Sequence, residues 1–192
     1  MMKKQIFCIL FLLLLANGAS TQTVDKTVEK IQKYYADISE KARLCEIDNE
    51  RGEFGELVMN ELVINKRNRQ WRAVGKYDLT YKFFYRGGDS EKHLYPDQLV
   101  KVVIDKKISN RKYAEEFLYS NSGALIFYFQ KTENDENAPA ERRVYFSAGQ
   151  TIRIIEDGKA RNRLNKKDAA TVREIVADSS KIKKLFISSI KL

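Results

Sequence analysis

One stretch, Gln70 to Arg86, limits what this chain can fold into, because apolar and polar side chains alternate along it almost without interruption. The odd-numbered positions form the apolar set: Trp71, Ala73, Gly75, Tyr77, Leu79, Tyr81, Phe83 and Tyr85. Successive side chains of a strand point to opposite faces, so the pattern predicts one long strand with an apolar face and a wet face. Gly75 is the expected point of bending. A long bent strand implies a curved antiparallel sheet whose inner face is covered.

The first twenty residues have the pattern of a secretory signal peptide. Two lysines precede an unbroken apolar run from Ile6 to Ala16, and small residues follow up to Ser20. This run is too short to span a membrane. We expect cleavage after Ser20, with Gly18 as the alternative, and a secreted or periplasmic mature chain of residues 21–192. Because Cys8 lies inside the apolar run and not after it, a lipoprotein anchor is not expected.

The mature chain reads as one globular domain. The full sequence is 43% hydrophobic and 32% charged, which fits neither a disordered nor a fibrous protein. Cys45 is the one cysteine left after cleavage, so the mature chain cannot form an internal disulfide. It falls on the apolar stripe of a predicted helix, which favours a buried structural thiol over a reactive one.

A long amphipathic helix is predicted between Thr23 and Cys45. Its apolar residues recur in alternating steps of four and three: Val24, Val28, Ile31, Tyr35, Ile38, Ala42 and Cys45. Thr23 is the expected N-cap. A stripe of this kind could form a coiled-coil seam between chains, but we favour a helix that lies on the sheet of its own chain.

The rest of the chain up to Glu156 reads as strands and short turns. The predicted strands are Phe54–Lys66, Gln70–Arg86, Leu99–Ile108, Lys112–Tyr119, Ala124–Lys131, Arg142–Ser147 and Gln150–Glu156. Leu99–Ile108 is ambiguous, because Pro96 and Asp97 could open a helix there. Its dense β-branched residues favour a strand.

The later strands are apolar on both faces, as in residues 125–129, so both faces of the sheet need a cover. A C-terminal helix capped by Asp168 supplies the second cover. Its apolar positions are Val172, Ile175, Val176, Ile182, Leu185 and Phe186, with an interruption expected at Ser179 and Ser180. The predicted fold is therefore α+β, with a long N-terminal helix, an approximately seven-stranded curved antiparallel meander sheet and a C-terminal helix. A lipocalin-like closed barrel is the alternative.

The positive charge is concentrated in the C-terminal segment. The net charge is +9, and Lys159–Leu192 holds ten basic residues against three acidic ones. Arg161, Arg163, Lys166 and Lys167 are the candidate binding residues, for an anionic surface or an acidic polysaccharide. Nucleic acid is not expected, because none of the modules that read bases is visible. We favour an ordinary solvated face over such a binding surface, and we expect the change of all four residues to Gln to leave stability within about 0.5 kcal/mol.

Catalytic and cofactor signatures are not found in the sequence. His93 is the single histidine, so a Ser-His-Asp triad would have to include it, and a zinc site of ordinary composition is not expected. Glu115 and Glu116 alternate across a predicted strand and do not face each other. No phosphate-binding loop or dinucleotide fingerprint occurs. We therefore predict no metal and no cofactor. The aromatic face of Trp71, Tyr77, Tyr81 and Tyr85 could line a ligand cleft, but a core position under a helix is favoured.

Two stretches look familiar: ELVINKRNRQWRAVGKYDLTYKFFY, and EEFLYSNSGALIFYF followed by ERRVYFSAGQTIRIIEDG. They resemble a family of uncharacterised secreted bacterial proteins with an aromatic-rich hairpin, then E-x-R-x-Y-F, a turn with Gly, and I-R. The matching residues are Glu141, Arg143, Tyr145, Phe146, Gly149, Ile152 and Arg153. The resemblance spans roughly 61–158 and implies a small antiparallel α+β domain, with no known activity.

Two classes of function remain after these exclusions. The first is a non-enzymatic binding or interaction module in the secreted or periplasmic space, which we favour. The second is a hydrolase-type enzyme with an unrecognised carboxylate site. Two facing carboxylates with shifted titration in a pocket would favour the enzyme, and an apolar groove would favour binding.

Overall fold

The structure is a computed structural model that describes residues 2–47, 56–67, 69–72, 75–87, 91 and 96–190, with side chains from residue 22 onward except at 96. These residues contain two helices, α1 (Met2–Ile47) and α2 (Lys166–Ile190), and nine strands. The strands are β1 (Val58–Ile64), β2 (Gln70–Trp71), β3 (Gly75–Gly87), β4 (Pro96–Ile108), β5 (Arg111–Tyr119), β6 (Leu125–Glu133), β7 (Glu141–Ser147), β8 (Gln150–Glu156) and β9 (Lys159–Arg161). The predicted α+β class is confirmed.

The strands form one antiparallel meander in the order β1-β3-β4-β5-β6-β7-β8-β9, and β2 pairs with β3 outside this order. The sheet is open, with β1 and β9 as its edges. The segments Gln70–Arg86 and Ala124–Lys131 therefore belong to one sheet, as predicted. The ambiguous segment Leu99–Ile108 is a strand and forms most of β4. The closed-barrel alternative is wrong for this chain.

The prediction of a single strand from Gln70 to Arg86 is wrong at its start. Gln70 pairs with Lys76 and Trp71 pairs with Gly75, so the chain reverses before β3 begins. Gly75 has a φ of 78°, a left-handed conformation that favours glycine. A Cβ atom there would also lie 3.0 Å from the hydroxyl of Ser109. The glycine that was expected to bend a strand instead ends a hairpin turn.

Helix α1 covers one face of the sheet. All seven residues of its predicted stripe pack in the same apolar cluster, together with Phe84, Val100, Leu118, Phe127 and Tyr145 from the strands. The apolar stripe is thus packed against the sheet of its own chain, as predicted in preference to a coiled-coil seam. The thiol of Cys45 donates a hydrogen bond to the carbonyl of Leu57 at 3.2 Å, and burial raises its pKa. These contacts agree with a structural role for Cys45.

Helix α2 covers the opposite face. Ile175, Ile182 and Phe186 are buried there against the other side of the same strands, with Val172 and Leu185 partly buried. Phe83 and Phe84 show the division directly, because one packs under α2 and the next packs under α1. The prediction that both faces need a cover is confirmed. Val176, expected in the core, is instead 45% exposed.

The start of α2 differs from the prediction by three residues. Asn165 accepts a hydrogen bond from the backbone nitrogen of Asp168 at 2.8 Å, and Asp168 accepts one from the backbone nitrogen of Asn165 at 3.1 Å. This reciprocal pair is a capping box in which Asn165 is the N-cap. Helix α2 also continues through Ser179 and Ser180 without interruption. Ser179 is buried and donates to the hydroxyl of Tyr119 at 3.1 Å, which removes the reason for a break.

Helix α1 begins far upstream of the predicted N-cap Thr23, at Met2. Thr23 lies inside the helix, where its carbonyl accepts a hydrogen bond from the hydroxyl of Thr27 at 2.9 Å. The described contacts of α1 with the sheet begin at Val24 and Asp25. Among the residues whose side chains the structure describes, no helix is long and apolar enough to cross a membrane.

Candidate binding cavity at the end of the sheet

A cavity of about 410 Å³ opens where the start of β4, the turn between β5 and β6, and the last turns of α2 meet. Its apolar wall consists of Leu99, Phe186 and Ile187, and its polar lining comes from Asp97, Gln98, Lys183 and the turn residues 121–123. Cavities that bind small molecules usually measure about 300–1,000 Å³ and combine an apolar wall with a few polar groups. We call this site the sheet-end cavity.

The turn that forms one side of the sheet-end cavity is held by its own hydrogen bonds. The backbone nitrogen of Gly123 donates to the carbonyl of Ser120 at 2.8 Å, and Gly123 has a φ of 75°. The hydroxyl of Ser120 accepts a hydrogen bond from the backbone nitrogen of Ala124 at 3.2 Å. The sequence Asn-Ser-Gly predicts this turn, because glycine readily adopts the left-handed conformation that it requires.

A second set of bonds fixes the rim of the cavity around Asn121. Arg86 donates to the side-chain oxygen of Asn121 at 2.7 Å and to that of Gln98 at 3.2 Å. The side-chain nitrogen of Gln98 donates to the backbone carbonyl of Asn121 at 2.6 Å. Residues from β3, β4 and the β5–β6 turn therefore hold one another, so the polar side of the cavity is preformed.

Lys183 provides the charge in the sheet-end cavity. Its ammonium donates a hydrogen bond to the carbonyl of Gly123 and lies 4.8 Å from the centre of the Tyr119 ring. Burial lowers the pKa of Lys183. No carboxylate pairs with this ammonium among the residues that the structure describes. An ammonium can donate three hydrogen bonds, and within the described residues one acceptor is present, so the ammonium has donor capacity for a ligand.

From the sequence, Lys183 is one of the ten basic residues of the C-terminal segment, and no separate role is predicted for it. The pattern of α2 does contain the signal that distinguishes it, because Lys183 follows Ile182 and lies three residues before Phe186, at the edge of the buried stripe. A lysine in this position extends its apolar stem along the core and places its charge at the rim. The pattern of α2 does not predict that the ammonium contacts the turn between β5 and β6, which is distant in sequence.

The four candidate residues of the basic segment separate into two groups. Arg161 lies in β9 and pairs with Glu156 at 2.7 Å and with Asp168 at 2.8 Å. Arg163, Lys166 and Lys167 are exposed around the start of α2. These three form no ion pair with any described residue. The four residues are thus close in sequence, but Arg161 differs from the other three because its ion pairs join elements of the fold.

The described residues of the predicted aromatic face, on β2 and β3, line none of the cavities described here. Tyr81 and Tyr85 pack in the core under α2, and Trp71 is 57% exposed beside Tyr77. A different aromatic hollow of about 280 Å³ lies beside α1. It is lined by Gln32, Tyr35, Phe127, Phe129, Arg143 and Tyr145. Its polar groups already bond within the chain, since Gln32 donates to the hydroxyl of Tyr145 at 3.1 Å and Arg143 pairs with Glu141 at 2.9 Å.

A buried charged cluster lies beneath this hollow. Lys101 pairs with Glu116 at 2.7 Å and donates to the hydroxyl of Ser39 at 2.8 Å. The hydroxyl of Tyr35 donates to the same carboxylate at 2.8 Å. Burial, with the charge of Glu116, raises the pKa of Tyr35 above its usual range. A serine beside a lysine can act as a nucleophile and its base, but here the side-chain nitrogen of Lys101 already pairs with the carboxylate of Glu116.

Other chemistry has little support in the described residues. They hold no group of three His, Cys, Asp or Glu side chains able to bind a metal ion. His93 lies outside the described residues. Comparison with protein-family models, with curated proteins and with solved structures gives no match.

Proposed function

We propose that this protein is a non-enzymatic binding module that holds a small ligand in the sheet-end cavity. One observation carries the proposal: a preformed cavity of about 410 Å³ joins an apolar wall to an ammonium, that of Lys183, which has no carboxylate partner among the described residues. A charged group that loses hydration without gaining a counter-charge is costly, so such a group favours a ligand that supplies the charge. The open sheet serves as the rigid support for the site.

The enzyme alternative rests on Glu115, whose carboxyl lies on the α2 face of β5. Burial raises the pKa of Glu115, and the nearby carboxylate of Asp178 adds to the effect. Glu115 lines neither the sheet-end cavity nor the aromatic hollow, however. The binding module is therefore the proposal that the geometry supports best.

Binding of anilinonaphthalene sulfonate, an apolar fluorescent anion, tests the proposed function. We expect the parent protein to enhance its fluorescence with saturable binding. Ile187→Asp places a negative charge on the rim and should weaken binding by about tenfold or more. Val176→Asp is the matched control, because Val176 is 45% exposed and Ile187 is 46% exposed on the same helix, but Val176 does not line the cavity.

The control variant should bind the probe as the parent does. Equal loss in both variants would place the probe on the exposed surface of α2 and contradict the proposal. Absence of saturable binding by the parent would contradict it as well. Thermal unfolding of all three proteins shows whether either aspartate has disturbed the fold.

The place of action that we propose is the secreted or periplasmic space, on the strength of the predicted signal peptide. The apolar contacts that α1 makes with the sheet from Val24 onward lie after the expected cleavage site at Ser20. Removal of the first twenty residues would leave these contacts intact. The intact mass of the exported protein should correspond to a start between about residues 19 and 22. Retention of Met1 in a membrane fraction would contradict the proposal.

A second candidate function is attachment to an anionic surface or polysaccharide through Arg163, Lys166 and Lys167. Their exposure, without acidic partners among the described residues, favours it. Each contact near a charged surface would contribute about 1 kcal/mol and weaken with salt. The triple change to Gln should abolish retention on heparin or anionic vesicles at low salt. Unchanged retention would contradict this candidate, as would failure of the parent protein to be retained.

A further inference from the structure

We infer that the ligand of the sheet-end cavity is a small amphiphile, with an apolar chain against Leu99, Phe186 and Ile187 and a single anionic head group bound by Lys183. The inference rests on the proposed function, because it names the chemical class of ligand for the same cavity. It follows from three features of the site: a cation with no carboxylate partner among the described residues, an exposed apolar rim and one acidic residue in the lining.

The first feature is the contrast between Lys183 and other basic side chains that lie against the sheet. Lys101 pairs with Glu116 at 2.7 Å, and Arg142 pairs with Glu156 at 2.8 Å. Lys183 is also partly buried, yet its described partners are a backbone carbonyl and the face of an aromatic ring. Both are weaker counterparts for a cation than a carboxylate. An anionic head group would supply the counter-charge that the chain itself supplies at the other two positions.

The second feature is the apolar wall. Phe186 is almost fully buried at the floor, whereas Ile187 on the rim keeps 46% of its surface exposed. Hydrocarbon that covers such a side chain is stabilised by about 25 cal/mol for each Å² of apolar surface removed from water. The wall therefore favours a ligand with an extended apolar part, and it offers little to a small inorganic anion.

The third feature is Asp97, which lines the same cavity and is exposed. An exposed carboxylate is hydrated and screened by salt, so it repels a single negative charge only weakly. A head group with more than one negative charge would meet more repulsion. A cationic head group would gain little from Asp97 and would be repelled by the less hydrated charge of Lys183. The charges thus favour a monoanion.

Four probes with the same chain separate the contribution of the head group from that of the chain: octanoate, octyl sulfate, octan-1-ol and octylammonium. Calorimetric titration of the full protein at neutral pH should give affinities for octanoate and octyl sulfate about tenfold or more above that for octanol. Octylammonium should bind more weakly than octanol. A comparison of octanoate with octyl sulfate shows which anionic head group the site prefers.

Variants of Lys183 complete the test. Lys183→Met should abolish the preference for the anions while octanol still binds, and Lys183→Arg should keep the preference. Lys184→Met is the matched control, because Lys184 is the exposed neighbour on the same helix. Parent-like binding of octanoate by Lys183→Met would overturn the inference. If that variant does not fold, loss of the preference for anions in Lys183→Arg would overturn it.

Two outcomes distinguish the class of ligand from the binding function itself. Equal affinity for octanoate and octanol in the parent would overturn the inference and leave the proposed binding function standing. Absence of binding by all four probes, together with no saturable binding of anilinonaphthalene sulfonate, would contradict both.

Discussion

Arg161 donates two hydrogen bonds to the carboxylate of Asp168, at 2.8 and 3.1 Å, across the connection between β9 and α2. Asp168 is only 3% exposed and also belongs to the capping box of α2. The same guanidinium donates to Glu156 on β8 at 2.7 Å. One arginine therefore joins the last two strands of the sheet to the first turn of the helix that covers it.

Arg161→Gln should destabilise the protein by about 2 kcal/mol, because hydrogen bonds to charged groups are lost and a buried carboxylate is left unpaired. Lys166→Gln, a change of an exposed residue five positions away, should stay within about 0.5 kcal/mol. Urea unfolding of the two variants and the parent measures both values. Equal stability of all three would show that Arg161 behaves as the ordinary surface residue that the sequence suggested.

The ion pairs of Arg161 with Asp168 and Glu156 should make the free energy of unfolding depend on pH in the acidic range. Hydrogen bonds from Arg161 lower the pKa of Asp168 against the effect of burial. Burial opposes a lower pKa at Glu156 too, but hydrogen bonds from Arg161 and Arg142 outweigh it. Carboxyls with lowered folded-state pKa values stabilise the native state above their ordinary values of 3.8 and 4.5, and this contribution is lost as pH falls through the folded values. Arg161→Gln should flatten the loss of stability below about pH 4.5 relative to the parent.

Hydrophobic periodicity was sufficient to predict the layers of this fold. The spacing of apolar residues indicates which side of α1, of the strands and of α2 is buried. The helical and strand periods on which this depends are set by local geometry alone. The errors fall where a local pattern is compatible with two structures. The sequence around Trp71 and Gly75 alternates like a continuous strand, but these two residues pair with each other, because register is set by pairing with β3 and not by the segment itself.

The two helices on opposite faces can be tested with adjacent residues. Phe83 and Phe84 both have 0% exposure, the first under α2 and the second under α1. Each change to Ala should destabilise the protein by about 3–5 kcal/mol, because each leaves a cavity in a separate cluster. A sheet covered on one face would instead show one large loss and one within about 0.5 kcal/mol. Chemical denaturation measures both losses.

The candidate site was less accessible to sequence reasoning than the fold. The high density of basic residues predicts a binding site at Arg161, Arg163, Lys166 and Lys167. The density of charge in a sequence does not show which of these side chains is paired with a carboxylate. Lys183 acquires its significance from the Gly123 carbonyl and the Tyr119 ring, which lie about 60 residues away in sequence. A contact of this kind depends on the order of strands and the direction of α2, neither of which local periodicity contains.

The buried cluster under α1 should behave as a coupled pair. Glu116→Gln leaves the ammonium of Lys101, whose side chain is 5% exposed, without its counter-charge and should destabilise the protein by about 3–5 kcal/mol. The double variant Lys101→Met with Glu116→Gln removes both charges and should recover a large part of that loss. A double-mutant cycle by urea unfolding measures the coupling. Additive losses in the two single variants would show that the pair contributes nothing as a pair.

Glu115 should act on stability in the opposite direction from Asp168. Burial is the main cause that raises the pKa of Glu115, and the ammonium of Lys106, with its nitrogen 3.8 Å from the carboxylate, only partly opposes it. A raised folded-state pKa means that the native state holds a proton that the unfolded chain releases near the ordinary value of 4.5. Stability therefore falls as pH rises from about 4.5 through the folded value, and it stays lower above.

Glu115→Gln keeps the shape of the side chain without the charge, so it should be more stable than the parent at pH 7, with the difference shrinking as pH falls towards 4. Glu174→Gln is the control, because Glu174 is exposed on α2 and should show no such trend. Urea unfolding between pH 4 and 7.5 measures the difference. If Glu115→Gln were destabilised most at pH 7, the ion pair with Lys106 would outweigh the burial of the carboxylate, and the expected sign would be wrong.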